Sequence, residues 1–200
     1  MGVTLFFGGT FNPPHIAHRK MLETVASHIE IERVLVAPTN IPPHKEVPGM
    51  FAKKEQRLHM CRLLCDGVQK AQVSDIEFRR EGKSYSFYTL SELKEEYGSV
   101  AMLIGGDMVT SFTTWFNYKE LLKIADFYAV RRKGVDNDEF DKCIENLRLE
   151  GGAFKVIEVD FPEVSSTEIR DAVSSGQNAE RLIPKNILEY ITNNGLYQKD

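Results

Sequence analysis

From end to end the chain alternates short apolar runs, rich in β-branched and aromatic residues, with amphipathic stretches of helical period. Repeated strand–helix–strand units of this kind build a mainly parallel sheet with helices on both faces, the doubly wound α/β arrangement. The spacing predicts strands over 3–7, 33–37, 72–76, 100–104, 127–130 and 154–159. Helices are predicted over 15–28, 53–67, 87–97, 118–124, 138–149, 166–174 and 184–193, with Gly98 and Gly195 as caps behind two of them. No repeat, low-complexity tract or composition shift marks a linker, so the 200 residues are read as one domain with a substantial core.

In a parallel sheet all carboxyl strand ends lie on one edge, and ligands bind there, where the strand order switches. Gly8 to Asn12 follow the first predicted strand, Pro38 to Lys45 the second and Gly105-Gly106-Asp107 the fourth. Arg131-Arg132 follow the fifth strand, and Ser165-Ser166-Thr167 follow the sixth at the start of a helix. The first of these is the most informative, because Gly8-Gly9-Thr10-Phe11-Asn12-Pro13-Pro14-His15 joins an apolar strand to a helix. Adjacent glycines let backbone approach an anion, and the amides and positive dipole end of the helix favour one. His15 and His18, three residues apart, share a face from which both can donate to phosphate oxygens. The alternatives are an ordinary βα turn with surface histidines, or a zinc site; no third His or Cys stands at a suitable spacing for the latter.

The composition narrows the partner. A net charge of -4 disfavours a general nucleic-acid binder, and the 42% hydrophobic and 27% charged fractions are those of a soluble globular chain. No leader pattern, membrane-length apolar run or myristoylation signal is found, so no membrane association is expected. Three unpatterned cysteines, Cys61, Cys65 and Cys143, suggest core packing in a reducing cytoplasm. Gly82-Lys83-Ser84 is not the end of a P-loop, because Glu77 stands where the first glycine is required.

At Gly8 to His18 the chain resembles the HxGH-type nucleotidylyltransferases, whose signature reads GGTFDPxHxGH; Asn12 and Ala17 are the departures. The Asp-to-Asn change is expected to be tolerated, since backbone amides, a hydroxyl and the two histidines do the motif's work. Val164 to Arg170 is similar to the family's ISSTxIR element, which implies that Ser165, Ser166, Thr167 and Arg170 hold ATP phosphates. Arg170 opposes the helix dipole unless an anion is near, and a solvated position is expected for it. Gly105 and Asp107 match the GxD element, implying a ribose contact, and Gly8, Gly9, Thr10 and Phe11 complete the expected ATP site. Pro42-Pro43-His44-Lys45 matches an element that closes over the site, which gives Lys45 a charge-neutralising role beside His15, His18 and Arg170. Arg57 and Met60 fit the following helix, individually as a solvated cation and a core methionine.

Ser84 to Thr89 resembles the SYTxDT element of nicotinate mononucleotide adenylyltransferases, with Ser86 for Thr and Tyr88 for the acid. The resemblance implies that Thr89 and adjacent amides hold a pyridine carboxylate and that Trp115 stacks on the ring. Arg132, Asn12, His44 and Tyr88 join Thr89 and Trp115 in the implied mononucleotide site. The match continues through Leu182-Ile183-Pro184 to Gly195-Leu196-Tyr197. It therefore implies a Rossmann-like fold, AMP transfer from ATP to nicotinic acid mononucleotide, magnesium carried with ATP, no protein-held metal and a cytoplasmic setting. A homo-oligomer stays open. The rivals are phosphopantetheine adenylyltransferase, disfavoured by length, Trp115 and Tyr85 to Thr89, and a catalytically silent nucleotide sensor.

Overall fold

The computed structural model describes residues 2–28, 30–43, 50–134 and 137–198. Strands β1 (Val3–Gly9), β2 (Ile31–Pro38), β3 (Ala71–Val73), β4 (Val100–Gly105), β5 (Asp126–Arg132) and β6 (Phe154–Val159) form one sheet in the order β3-β2-β1-β4-β5-β6. Every pairing is parallel, a stricter result than the mainly parallel sheet expected. The order reverses between β1 and β4. The ends of β1 and β4 therefore flank the crevice where a doubly wound sheet binds ligand.

Helices cover both faces, which is why the strands read as continuous apolar runs rather than alternating ones. Leu5 and Phe7 of β1, with Val34 and Val36 of β2, face one core shared with helices α1 (Ile16–Ala26), α2 (Lys54–Cys65), α7 (Ser166–Ser174) and α8 (Lys185–Asn193). Phe6, Leu35, Met102 and Ile104 face the other, against α3 (Ser86–Tyr97), α5 (Tyr118–Ile124) and α6 (Asp138–Leu149). Gly98, at φ 77°, ends α3 and donates its amide to the Lys94 carbonyl, and Gly195, at φ 58°, follows α8.

Three local differences from the sequence expectation have physical causes. The third strand stops at Val73 because Ser74 Oγ accepts the Ile76 amide at 3.2 Å and the Asp75 carbonyl accepts Phe78, drawing the chain into a 3-10 turn over Ile76–Arg79. The short helix α4 (Gly106–Thr110) follows β4 directly, too short for its period to show in sequence. His15 is the extended cap of α1 and not its first helical residue.

Candidate active site

The β1–α1 turn carries an unusual backbone. Phe11 sits at φ 47°, a left-handed value that a bulky residue adopts only under constraint, and the following Asn12–Pro13 bond is cis. The two glycines are explained by their aromatic neighbours: a Cβ on Gly8 would lie 2.7 Å from the Phe6 ring, and one on Gly9 3.0 Å from Phe11. Phe11 is buried edge-on to Phe7 and His18, with centroids 5.4 and 5.0 Å away. The His15 and His18 rings stack at 3.6 Å, and His18 Nδ1 accepts the His15 backbone amide at 3.1 Å. A ring nitrogen that accepts carries no proton, so neutral His18 holds its proton on Nε2. Of the first α1 amides, that of Ile16 donates to Leu182 and not to a ligand.

Asn12 is the hub of this turn. Only 1% exposed, it donates from Nδ2 to the Met50 carbonyl at 3.1 Å, while its Oδ1 accepts from the Ala52 amide at 3.0 Å and the Tyr197 hydroxyl at 2.8 Å. Its side chain is thus fully engaged within the protein, where the sequence suggested a mononucleotide contact. The Asn12 carbonyl accepts from Arg170 Nη1 at 2.8 Å, and Arg170 Nη2 reaches Thr167 Oγ1 at 3.1 Å. Ser166 Oγ donates to the Pro13 carbonyl at 2.8 Å, and Ser165 Oγ caps α7 by accepting the Glu168 amide. Ser166 Oγ and Arg170 therefore clamp α7 onto the turn, while Ser165 and Thr167 use their hydroxyls within the α7 segment, and the Ser166 and Thr167 amides lie ahead of the first intrahelical bond. Arg170 is 9% exposed, contrary to the solvated position expected, because the turn and α7 close over its stem.

Beside the turn a cavity opens whose wall includes Gly8, Gly9 and Thr10 on one side and Ser86, Trp115 and Phe116 on the other. Trp115 stacks on Phe112 at 5.0 Å and is 9% exposed. Phe116 and Tyr88, 5.5 Å apart between ring centroids, form an exposed aromatic rim with Tyr85. Thr89 does not reach this cavity: it is fully buried, donates from Oγ1 to Glu77 Oε1 at 3.0 Å and accepts from Arg80. The Tyr88 and Thr89 amides bond to the Tyr85 carbonyl, so the α3 end facing the cavity is Ser86, which the sequence marked only as a departure. Thr39 Oγ1, Glu77 Oε2 and Trp115 Nε1 are buried and have no hydrogen-bond partner among the described residues, and all three residues line the cavity.

Asp107 and Arg132 lie at the ends of other strands along the same sheet edge. Asp107 is in the first turn of α4, beside its cap Gly105. Arg132, at the end of β5, pairs with the exposed Glu163 at 3.4 Å. His44 and Lys45 lie outside the described residues. Arg57, read as solvated, is 1% exposed; Met60 is core, as read. Glu77, Thr39, Asn12's hub contacts and Arg57's burial had no local sequence signal, since each arises from chain segments far apart.

Burial pushes the Glu77 carboxyl above its ordinary value against the opposing hydrogen bonds from Ser84 and Thr89 and the fields of Arg80 and Arg57. A carboxyl raised by folding costs stability as pH climbs past its unfolded value, because the unfolded chain ionises first. Glu77→Gln is therefore expected to raise the thermal midpoint at neutral pH by a few degrees. It should also flatten the decline in stability from about pH 4.5 upward, measured by melting across pH. An unchanged pH profile would show Glu77 ionised in the folded state at no cost.

A glycine turn at the switch point of an all-parallel sheet, flanked by a capped helix start and opening into an aromatic cavity, defines a nucleotide-binding α/β protein. The Cytidylyltransferase-like family profile matches residues 6–172. A Fusobacterium nucleatum subsp. nucleatum protein named probable nicotinate-nucleotide adenylyltransferase is 35% identical over 188 residues, 92% of this chain and 94% of the relative. One of the same name from Listeria welshimeri is 34% identical over 96% of this chain and 95% of its own length. In fold, the chain superposes on Plasmodium falciparum nicotinic acid mononucleotide adenylyltransferase complexed with NaAD, with a TM-score of 0.82, 17% identity and 98% of both chains covered. The chain belongs to the cytidylyltransferase-like family, and within it to the nicotinate-nucleotide adenylyltransferases, which are nucleotidyltransferase enzymes.

Proposed function

We propose that this chain transfers AMP from ATP to nicotinic acid mononucleotide, giving deamido-NAD and pyrophosphate, within a single unit spanning 1–200 whose C-terminal helices complete the ATP site. The observation that carries this reading is one cavity walled by the Gly8-Gly9-Thr10 turn on one side and by Ser86, Trp115 and Phe116 on the other. A phosphate site and a flat-ring site in one space suit two nucleotides that react with each other. The Thr39, Glu77 and Trp115 atoms in the wall that have no partner among the described residues support it, because buried unpaired polar groups are costly and a ligand's polar edge relieves them.

The mononucleotide phosphate oxygen attacks the α phosphorus of ATP as the bond to the β-phosphate oxygen breaks, and pyrophosphate leaves with that bond's electrons. No protein nucleophile is required; positioning and charge neutralisation supply the rate. His15, His18 and Arg170 stabilise charge on the transferred and leaving phosphates, with Lys45 assisting. Gly8, Gly9, Thr10, Phe11, Ser165, Ser166 and Thr167 hold ATP, and Gly105 and Asp107 its ribose. Trp115 stacks on the pyridine ring, with Tyr88, Thr89, Asn12, His44 and Arg132 around the mononucleotide, the first three as supports of the pocket and not as direct ligands. Among the described residues no group of three or more His, Cys, Asp or Glu is placed to hold a metal ion. Magnesium would enter with the triphosphate, where it would offset oxygen charge. No described helix is long and apolar enough to cross a membrane, and we place the enzyme in the cytoplasm.

Mixing the protein with ATP and nicotinate mononucleotide should release pyrophosphate, whereas phosphopantetheine should not. Silence with every acceptor would leave a nucleotide sensor. The exposed start of α3 favours a carboxylate over a carboxamide, whose NH₂ would meet donor N–H groups. Nicotinate mononucleotide is therefore expected to exceed nicotinamide mononucleotide by about a hundredfold in kcat/KM. Comparable values would remove the α3 start from the recognition of the ring's substituent.

A further inference from the structure

Arg57 of α2 is a buried cation. Its side chain is 1% exposed, and among the described residues it forms no ion pair. Instead Nη1 donates to the Thr10 carbonyl at 3.1 Å and the Thr39 carbonyl at 2.6 Å, and Nε donates to the Ala52 carbonyl at 3.3 Å. The guanidinium lies against the Phe51 and Phe78 rings, 4.6 and 5.3 Å from their centroids. Buried charges are ordinarily paired, since an unpaired ion in the interior is expensive. Burial indeed pulls this guanidinium below its usual value, with Glu77 and Glu55 acting on it only from a distance.

The three carbonyls show what the position gains. Thr10 ends the phosphate turn after β1, and Thr39 follows β2; both residues line the cavity. One nitrogen thus ties together the residues that follow the paired strands β1 and β2, beside the Thr39 amide's bond to the Gly9 carbonyl at 2.9 Å, on the phosphate-turn side of the cavity. We propose that Arg57 is a positioning residue that fixes the Thr10 and Thr39 backbone beside the cavity through its fork, and that a bound polyphosphate completes its charge balance. The inference rests on the adenylyl-transfer reading for its kinetic part alone; the charge balance requires only that polyphosphate binds at the turn.

Two substitutions separate the fork from the charge. Arg57→Lys keeps a cation but loses the planar Nη1 and Nε geometry that spans the Thr10, Thr39 and Ala52 carbonyls together. It should lower kcat by about tenfold or more while ATP and pyrophosphate affinity, read as ligand-induced shifts of the melting temperature, stay within about threefold. Arg57→Met keeps the apolar stem and removes the charge, and it should weaken both ligands by about tenfold or more. Normal kcat in Arg57→Lys overturns the positioning role, and normal ligand affinity in a folded Arg57→Met overturns the charge balance. Variants that only melt earlier, with kcat and affinity intact, reduce Arg57 to packing. Should Arg57→Met not fold, Arg57→Gln, which removes the charge but keeps an N–H donor, takes its place in the affinity comparison with the same outcomes, and Arg57→Lys still judges the positioning role. A wild-type protein that binds ATP and pyrophosphate but adenylates nothing refutes the adenylyl-transfer reading instead, while the affinity comparison still judges the charge balance.

Discussion

His18→Ala is expected to lower kcat by about a hundredfold or more while ATP affinity changes far less. The imidazole is held on both sides: Phe11 and Phe7 pack against the ring, and Nδ1 accepts the His15 amide at 3.1 Å. These contacts fix the tautomer and leave Nε2–H as the donor, so the orientation is set before substrate arrives and no reorganisation is needed as charge develops. Alanine also removes an acceptor from the start of α1, at about 1 kcal/mol. His18→Asn, whose amide oxygen can replace Nδ1 as acceptor, should recover that stability without recovering kcat. Single-turnover rates and ATP titrations separate the two effects. If kcat survives His18→Ala, the stacked histidine pair is a helix cap and not catalytic apparatus.

Arg170→Ala is expected to cost both function and structure. On the functional side, kcat/KM for ATP should fall by about a hundredfold, because a guanidinium beside phosphates forms charge-assisted bonds that alanine cannot replace. On the structural side, the Asn12 carbonyl loses a donor 2.8 Å away in a buried setting and the Thr167 hydroxyl one 3.1 Å away in a part-buried one. That loss should lower stability by about 2–3 kcal/mol, or roughly 4–12 °C in melting temperature for a chain of this size. Arg170→Lys restores the charge but not both bonds, so it should recover part of the ATP affinity and less of the melting temperature. A variant that melts early yet keeps its kcat/KM for ATP would make Arg170 a clamp between α7 and the turn and nothing more.

Much of this site is legible in the chain because its pieces are local. The Gly8 to His18 turn, the Ser165 cap and Trp115 are each short segments whose residue types state their own requirements: a helix start, a close approach, a flat surface. Their convergence follows from the βα alternation, since parallel strands deliver every loop after a strand to one edge. Thr89 illustrates where local reading stops. It stands at the correct end of α3, but only the packing of Glu77 and Arg80 against it decides that its hydroxyl is spent inside the protein. Arg170 and Arg57 show the same limit, as nothing near either residue in sequence announces that it is buried.

The sequence by itself determined the parallel α/β sheet, the positions of nearly all its helices and strands, and the presence of a glycine turn followed by two histidines, because hydrophobic period and turn chemistry act over a few residues. The tertiary structure alone decided which polar groups face ligand and which hold the scaffold. Asn12 spends its amide on Met50, Ala52 and Tyr197, segments up to 185 residues away, and Arg57 spends its donors on Thr10, Thr39 and Ala52. A side chain's partners depend on which distant backbone arrives beside it, and a buried donor or acceptor must be satisfied by whatever is there.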